Sequence, residues 1–404
     1  MRISTLLRRV EGAAVVSIRV AVRGGSRTEE IPGQGLLAGR ALGEGTTRRD
    51  WARLAEDVES RGMSANGFGG WDAHGVAVDA LVEDAEEALA IAAEMLLEPN
   101  FPVERCRLLS KQAVGELQSL SDQPEVLTAW AFLEQLYGDQ PQSRPLQGTP
   151  ESLERLTAED LRRFHRAGLE RGLVLSITGE IDVEETRGRA MNLFGSDPWA
   201  RAHEPLLNDP TNQGSRREVV TGARDQAHLY LGHLTVPRRH PDLAALEVLS
   251  VILGAGAGLT GRIPQRVRED EGLAYTSYAS AVSGAGLDRG RLVAYVGTSP
   301  VTLDRAERAV REEFDRLLQD GLREEEVADA KAYLIGRDPF RRETARQWAD
   351  LMAESELYGE PVDDAKWAIA RIQAVDRATV DAAARRWIRP EEMVAAVGLP
   401  PRTV

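Results

Sequence analysis

Apolar residues along this chain follow two spacings. Short β-branched or alternating runs occupy 14–22 (AVVSIRVAV), 75–80 and 172–179, and again 228–236, 291–297 and 392–398. Runs of this length and composition predict strands, because branched side chains pack well on a pleated surface. Elsewhere apolar residues recur three and four apart. That spacing predicts amphipathic helices over 51–60, 82–97, 103–120, 125–136 and 157–167, and over 243–253, 303–319, 324–336, 342–357 and 376–387. Strands bounded by long helices, with connections of mixed length, predict an α+β fold in which a mainly antiparallel sheet is covered by helices.

The two series are copies of one another. At an offset of 221 residues, Ala85, Glu86, Ala88, Leu96 and Leu97 coincide with Ala306, Glu307, Ala309, Leu317 and Leu318. At the same offset Tyr137-Gly138 meets Tyr358-Gly359. At 219, Leu153, Leu156, Leu161 and Gly179 meet Ile372, Val375, Val380 and Gly398. Collinear matches at a nearly constant offset predict two homologous domains, 1–195 and 217–404. Residues 196–216 lack periodicity, carry Pro, Asn, Gly and Ser, and read as a linker.

Composition narrows the chemistry. The net charge of −14, from 64 acids against 50 bases, argues against broad binding to nucleic acid or anionic membranes. No apolar window is long enough to span a bilayer, and the N-terminal segment, broken by Arg8, Arg9 and Glu11, does not read as a secretory signal. The expected location is cytoplasmic. The single cysteine, Cys106, rules out an internal disulfide and a Cys-rich zinc site. Arg105 and Arg107 flank it; it is either a small helix side chain or a thiol activated by those charges. The six histidines show no ligand spacing: His228 and His233 are five apart on a strand and face opposite ways, and His74, His165, His203 and His240 are scattered. No Walker loop, G-x-S-x-G turn or Cys/His pair occurs. Glycine-rich Gly254–Gly261 lacks the Lys-Ser/Thr of a phosphate loop and reads as a flexible turn or a substrate contact.

The segment GGSRTEEIPGQGLLAGRALGEGT (Gly24–Thr46) resembles the opening of the insulinase, pitrilysin and mitochondrial-processing-peptidase family. In active members an inverted motif, H-x-x-E-H, supplies two zinc ligands and a general base from one helical face. Anchored on Gly33 and Gly45-Thr46, those positions are Leu36, Gly39 and Arg40. None has a lone pair to offer, and a guanidinium repels a dication. The family's third ligand, a glutamate about 76 residues further on, falls at Glu116, which reads as a relic or an ion-pair partner of Arg40. No metal is expected in this chain.

The second half keeps what the first has lost. Ile252–Ser280 resembles the family's second domain, whose arginine and tyrosine are Arg268 and Tyr275 in VREDEGLAY. The resemblance implies that this pair holds a substrate carbonyl and steadies a tetrahedral intermediate. A guanidinium and a phenol are suited to that task. Asn66-Gly67 stands at the family's Asn-Ala pair on a sheet edge, where extended peptides add as a strand; Gly67, Gly69 and Gly70 are expected to loosen that edge, which weakens Asn66 as a substrate contact. The combination resembles the non-catalytic, substrate-positioning subunit of a heterodimeric zinc endopeptidase, with the zinc in a homologous H-x-x-E-H-bearing partner. A scaffold protein of the same fold and a homodimeric peptide-binding protein are the alternatives.

Overall fold

The computed structural model describes residues 2–195, 197–198, 207, 216–220, 226–256, 261–362 and 365–401. The linker 196–216 and Ala257–Thr260 of the glycine-rich run therefore lie almost wholly outside the described residues. The chain forms two compact units, each assembled from several stretches. The first comprises Met1–Leu117, Arg144–His203 and Pro339–Asp363; the second comprises Gln118–Ser143, Glu204–Asp338 and Asp364–Val404.

The first unit is built on strands β1 (Arg2–Arg9), β2 (Val15–Arg23), β3 (Ser64–Gly69), β4 (Ala73–Leu81), β5 (Leu173–Gly179) and the two-residue β6 (Asp197–Pro198). Their order is β3-β4-β2-β5-β1-β6. The first three pairings are antiparallel and β5/β1 is parallel. The second unit carries β7 (Arg216–Val220), β8 (Ala227–Leu234), β9 (Ala274–Ser283), β10 (Arg291–Thr298) and β11 (Val394–Leu399), in the order β9-β10-β8-β11-β7. Here too three antiparallel pairings precede a parallel one, β11/β7. The two sheets have one topology, as the sequence repeat implies.

Strand β2 shows how the first core forms. Val16, Ile18, Val20 and Val22 are all fully buried, on the face that meets the helices Ala85–Leu97 and Ala158–Arg171. The alternate residues Ser17, Arg19, Ala21 and Arg23 point to the opposite face. They are buried as well. The helix Ala345–Tyr358 lies over them, although it comes from the second sequence half. Arg19 donates to Asp350 at 2.5 Å and to Asp79 at 3.2 Å, and Arg346 meets Asp79 at 2.8 Å. Arg23, 2% exposed, donates to the carbonyls of Glu356 and Leu357 at 3.3 and 3.2 Å, so a buried guanidinium caps the helix C-terminus. The Arg8 guanidinium stacks 3.6 Å over the Trp348 ring.

The exchange is reciprocal. The helix Pro124–Tyr137, from the first sequence half, packs on β11 and β8 in the second unit, with Phe132 and Leu136 against Tyr230, Val293 and Tyr295. The repeated Tyr-Gly pairs end the two exchanged helices. Tyr137 donates to the Arg289 carbonyl at 3.1 Å, just ahead of β10; Tyr358 donates to Asp72 at 2.8 Å, just ahead of β4. Gly138 (φ 55°) and Gly359 (φ 68°) then turn the chain in a conformation suited to glycine. The helices expected at 125–136 and 342–357 thus form, each within the unit opposite to the one a contiguous division at 195 and 217 assigns it.

Candidate functional site

Leu36, Gly39 and Arg40, the positions expected to carry the zinc motif, lie on one short helix, Gln34–Ala41, which enters from Gly33 (φ 87°). Leu36 is buried in the core at 5% exposure. At Gly39 the helix backbone lies directly on strand β3: a Cβ built there would stand 1.9 Å from the Phe68 carbonyl oxygen. The contact is matched from the other side, where a Cβ on Gly67 would fall 2.1 Å from the Gly39 oxygen and one on Gly69 would fall 2.5 Å from the Leu36 Cα. Three glycines therefore bring helix and strand together at backbone distance. The expectation that Gly67 and Gly69 loosen this edge is corrected: they close it, because without side chains the strand can lie against the helix. A carboxylate base at position 39 has no room to leave the helix. Asn66, on the exposed side of β3, donates to the Ser64 hydroxyl at 2.9 Å.

Arg40 points its guanidinium at Glu116 on the helix Val103–Ser121. The pairing is bidentate, 2.8 Å to Oε1 and 3.1 Å to Oε2. A guanidinium thus occupies the carboxylate that a zinc would need, and satisfies it. The residues present do not fit a zinc ion: two positions offer no donor, and the third competes for the one carboxylate. Among the described residues no group of three or more His, Cys, Asp and Glu is arranged to hold a metal. The half-buried Glu29 sits at the start of the motif helix and accepts from the Gly35 N–H at 3.1 Å. Burial pushes its carboxyl up to about 7, against the lowering effect of the backbone donors.

Sequence spacing misses one polar pair. His74 on β4 and His165, 91 residues apart, meet at 3.1 Å between Nε2 and Nδ1, and His165 Nε2 reaches the Leu96 carbonyl at 2.7 Å. Gly168 makes room, since a Cβ there would touch His74 at 2.8 Å. Burial depresses both imidazoles, His165 to about 4, so the pair is neutral in the folded protein. Of the two readings of Cys106, the small helix side chain is the one supported: burial, together with Glu44, pushes its thiol up to about 11.

In the second unit, Arg268 lies on the helical turn Gln265–Asp270, which Val267 anchors in the core. Gly272 (φ 61°) reverses the chain, donating to the Arg268 carbonyl at 3.1 Å, and β9 begins two residues later. The nearby Glu271 is already claimed by Arg266 at 2.8 Å and Arg305 at 2.6 Å. Arg268 is left with a loose contact to Glu269 at 3.5 Å and a side chain 40% exposed. Tyr275, second residue of edge strand β9, is 78% exposed. Among the described residues no hydrogen bond joins the two. Both side chains are therefore open to an external acceptor. Gly254 (φ 135°) and Gly261 (φ 119°), flanking the undescribed glycine-rich residues, pack tightly: a Cβ on Gly261 would meet the Gly254 Cα at 2.5 Å.

The family model described as Insulinase (Peptidase family M16) matches residues 5–150, and that described as Peptidase M16 inactive domain matches residues 155–334. The non-peptidase homologue YmxG of Helicobacter pylori is 26% identical over 333 residues, 81% of this chain and 76% of that one. An uncharacterized zinc protease of Mycobacterium leprae is 29% identical over 351 residues, 85% of this chain and 78% of that one. A crystal structure titled as a peptidase M16 inactive domain from Pseudomonas fluorescens shares the fold with a TM-score of 0.87 at 22% identity, over 99% of this chain and 96% of the other. The chain belongs to the insulinase (M16) peptidase family.

Proposed function

We propose that this chain is the non-catalytic, substrate-positioning subunit of a heterodimeric zinc endopeptidase, acting beside a homologue that carries H-x-x-E-H. The observation that carries the reading is the contrast between the two half-sites. At Leu36, Gly39 and Arg40 the helix is closed against β3 and its arginine is paired with Glu116. At Arg268 and Tyr275 the side chains are exposed and weakly engaged. Hydrolysis needs a water activated by metal and base, which the partner supplies. A developing oxyanion needs donors, which a guanidinium and a phenol provide.

The test is peptide hydrolysis by the reconstituted pair. Arg268→Ala and Tyr275→Phe are each expected to lower kcat/KM by roughly ten- to a thousandfold, the scale of a lost transition-state donor. Unchanged turnover in both variants, with the pair still assembled, removes the positioning role and leaves a scaffold.

A further inference from the structure

Three acids follow Arg268 directly, Glu269, Asp270 and Glu271. Two of them are held elsewhere. The turn Gln265–Asp270 is wound as a π-helix, so residues five apart stack on one another. Gln265 accordingly donates to Asp270 at 2.9 Å, and Arg266 meets Glu271 at 2.8 Å. Glu271 matters most. Its side chain is only 9% exposed and lies three residues beyond Arg268, a spacing at which opposite charges reach one another on a helical turn. It is instead shared by two guanidiniums, Oε1 by Arg266 and Oε2 by Arg305 at 2.6 Å. Arg305 lies on the helix Leu303–Asp320, and Glu312, seven residues on along the same face, accepts from Arg266 at 3.1 Å. Two arginines thus consume one buried carboxylate. The third, Arg268, keeps only the 3.5 Å contact with Glu269.

We infer that Arg266 and Arg305 are positioning residues: by holding Glu271 they keep the Arg268 guanidinium uncommitted and available to a peptide carbonyl, a role that rests on the function proposed above for Arg268. A carboxylate this buried needs a cationic partner. Without Arg266 and Arg305, Arg268 is the closest remaining guanidinium in sequence to Glu271, and their pairing would withdraw it from substrate. Only the unpaired population of Arg268 is competent, so turnover falls with the fraction lost.

The test uses the double variant Arg266→Met/Arg305→Met and the triple variant that adds Glu271→Gln. Methionine keeps much of the stem's bulk and offers no donor. Phenylglyoxal labelling of Arg268 in the isolated chain, located by peptide mass analysis, reads the pairing without a partner subunit. Labelling is expected to slow by at least about threefold in the double variant, the scale of one ion pair, and to recover in the triple variant. In the reconstituted pair, kcat/KM is expected to fall by at least about threefold in the double variant and to recover likewise. Recovery separates this role from a structural one, since removing a third side chain does not repair a damaged fold. The Arg305 side chain is 61% exposed, so Arg305→Met alone serves where the double variant does not fold, with the same directions expected. Unchanged labelling, or a loss that Glu271→Gln does not relieve, overturns the inference. Turnover unaffected by Arg268→Ala, with the labelling changes intact, defeats the subunit reading instead and leaves the control of Arg268 by Glu271 standing.

Discussion

Gly39 lets the motif helix lie with its backbone on β3, and the consequence is measurable. An alanine in an exposed helix gains about 1 kcal/mol over glycine. Here its methyl group would have to occupy the space of the Phe68 carbonyl. Gly39→Ala is therefore expected to destabilise by about 2–3 kcal/mol. Arg40→Ala, which removes a partly exposed ion pair, is expected to cost under about 1 kcal/mol. Urea midpoints decide; a neutral Gly39→Ala would mean that helix and strand stand further apart. The buried histidines set a second test. Below pH 6.5 the unfolded chain binds protons that the folded His165, at about 4, does not, so stability is full above 6.5 and is lost as pH falls toward 4. From pH 6.5 to 5 this histidine contributes a loss of about 2 kcal/mol. Glu29 works in the opposite sense: its folded carboxyl holds a proton up to about 7, so stability falls as pH rises from 4.5 to 7. The acid-side loss is therefore expected to be steeper in Glu29→Gln and shallower in His165→Asn. Identical pH profiles would refute the assignment. At this scale the sequence was legible where chemistry was missing, at Leu36, Gly39 and Arg40. It misleads on Gly67 and Gly69, which read as loosening the edge, because their effect depends on what faces them.

The exchanged helices mark the limit of reading elements from periodicity. The spacing of 342–357 predicts a helix, and Ala345–Tyr358 is one. Its period reports an apolar face and says nothing of which sheet receives it. Ser17, Arg19 and Arg23 are buried under that helix, and a strand's period does not reveal such a cover made through arginine contacts. Strand β3 (SANGFG) escapes detection for a related reason: its glycines weaken the strand signal while enabling the helix contact. The repeat itself, by contrast, is visible in Tyr137-Gly138 and Tyr358-Gly359, which end equivalent helices in equivalent ways. Arg23 is buried within the exchanged contact. Arg23→Ala opens a cavity, removes the guanidinium donor from the Leu357 carbonyl and leaves the Glu356 carbonyl only the Gly359 N–H. A loss of about 2–4 kcal/mol is expected in thermal or urea unfolding. A cost below 1 kcal/mol would show that the cap contributes little.

For the whole molecule, two copies of one sheet topology have diverged in opposite directions. The first unit carries a closed helix–strand contact and an Arg40–Glu116 pair where the zinc motif is expected. The second has kept an exposed arginine and tyrosine at the start of an edge strand. No helix among the described residues is long and apolar enough to cross a membrane. The central claim is that hydrolysis does not originate in this chain. The most direct measurement is cleavage of an unstructured fluorogenic peptide by the isolated chain at saturating zinc, with and without a chelator. The account predicts no cleavage above buffer in either condition. Chelator-sensitive turnover by the isolated chain would contradict it.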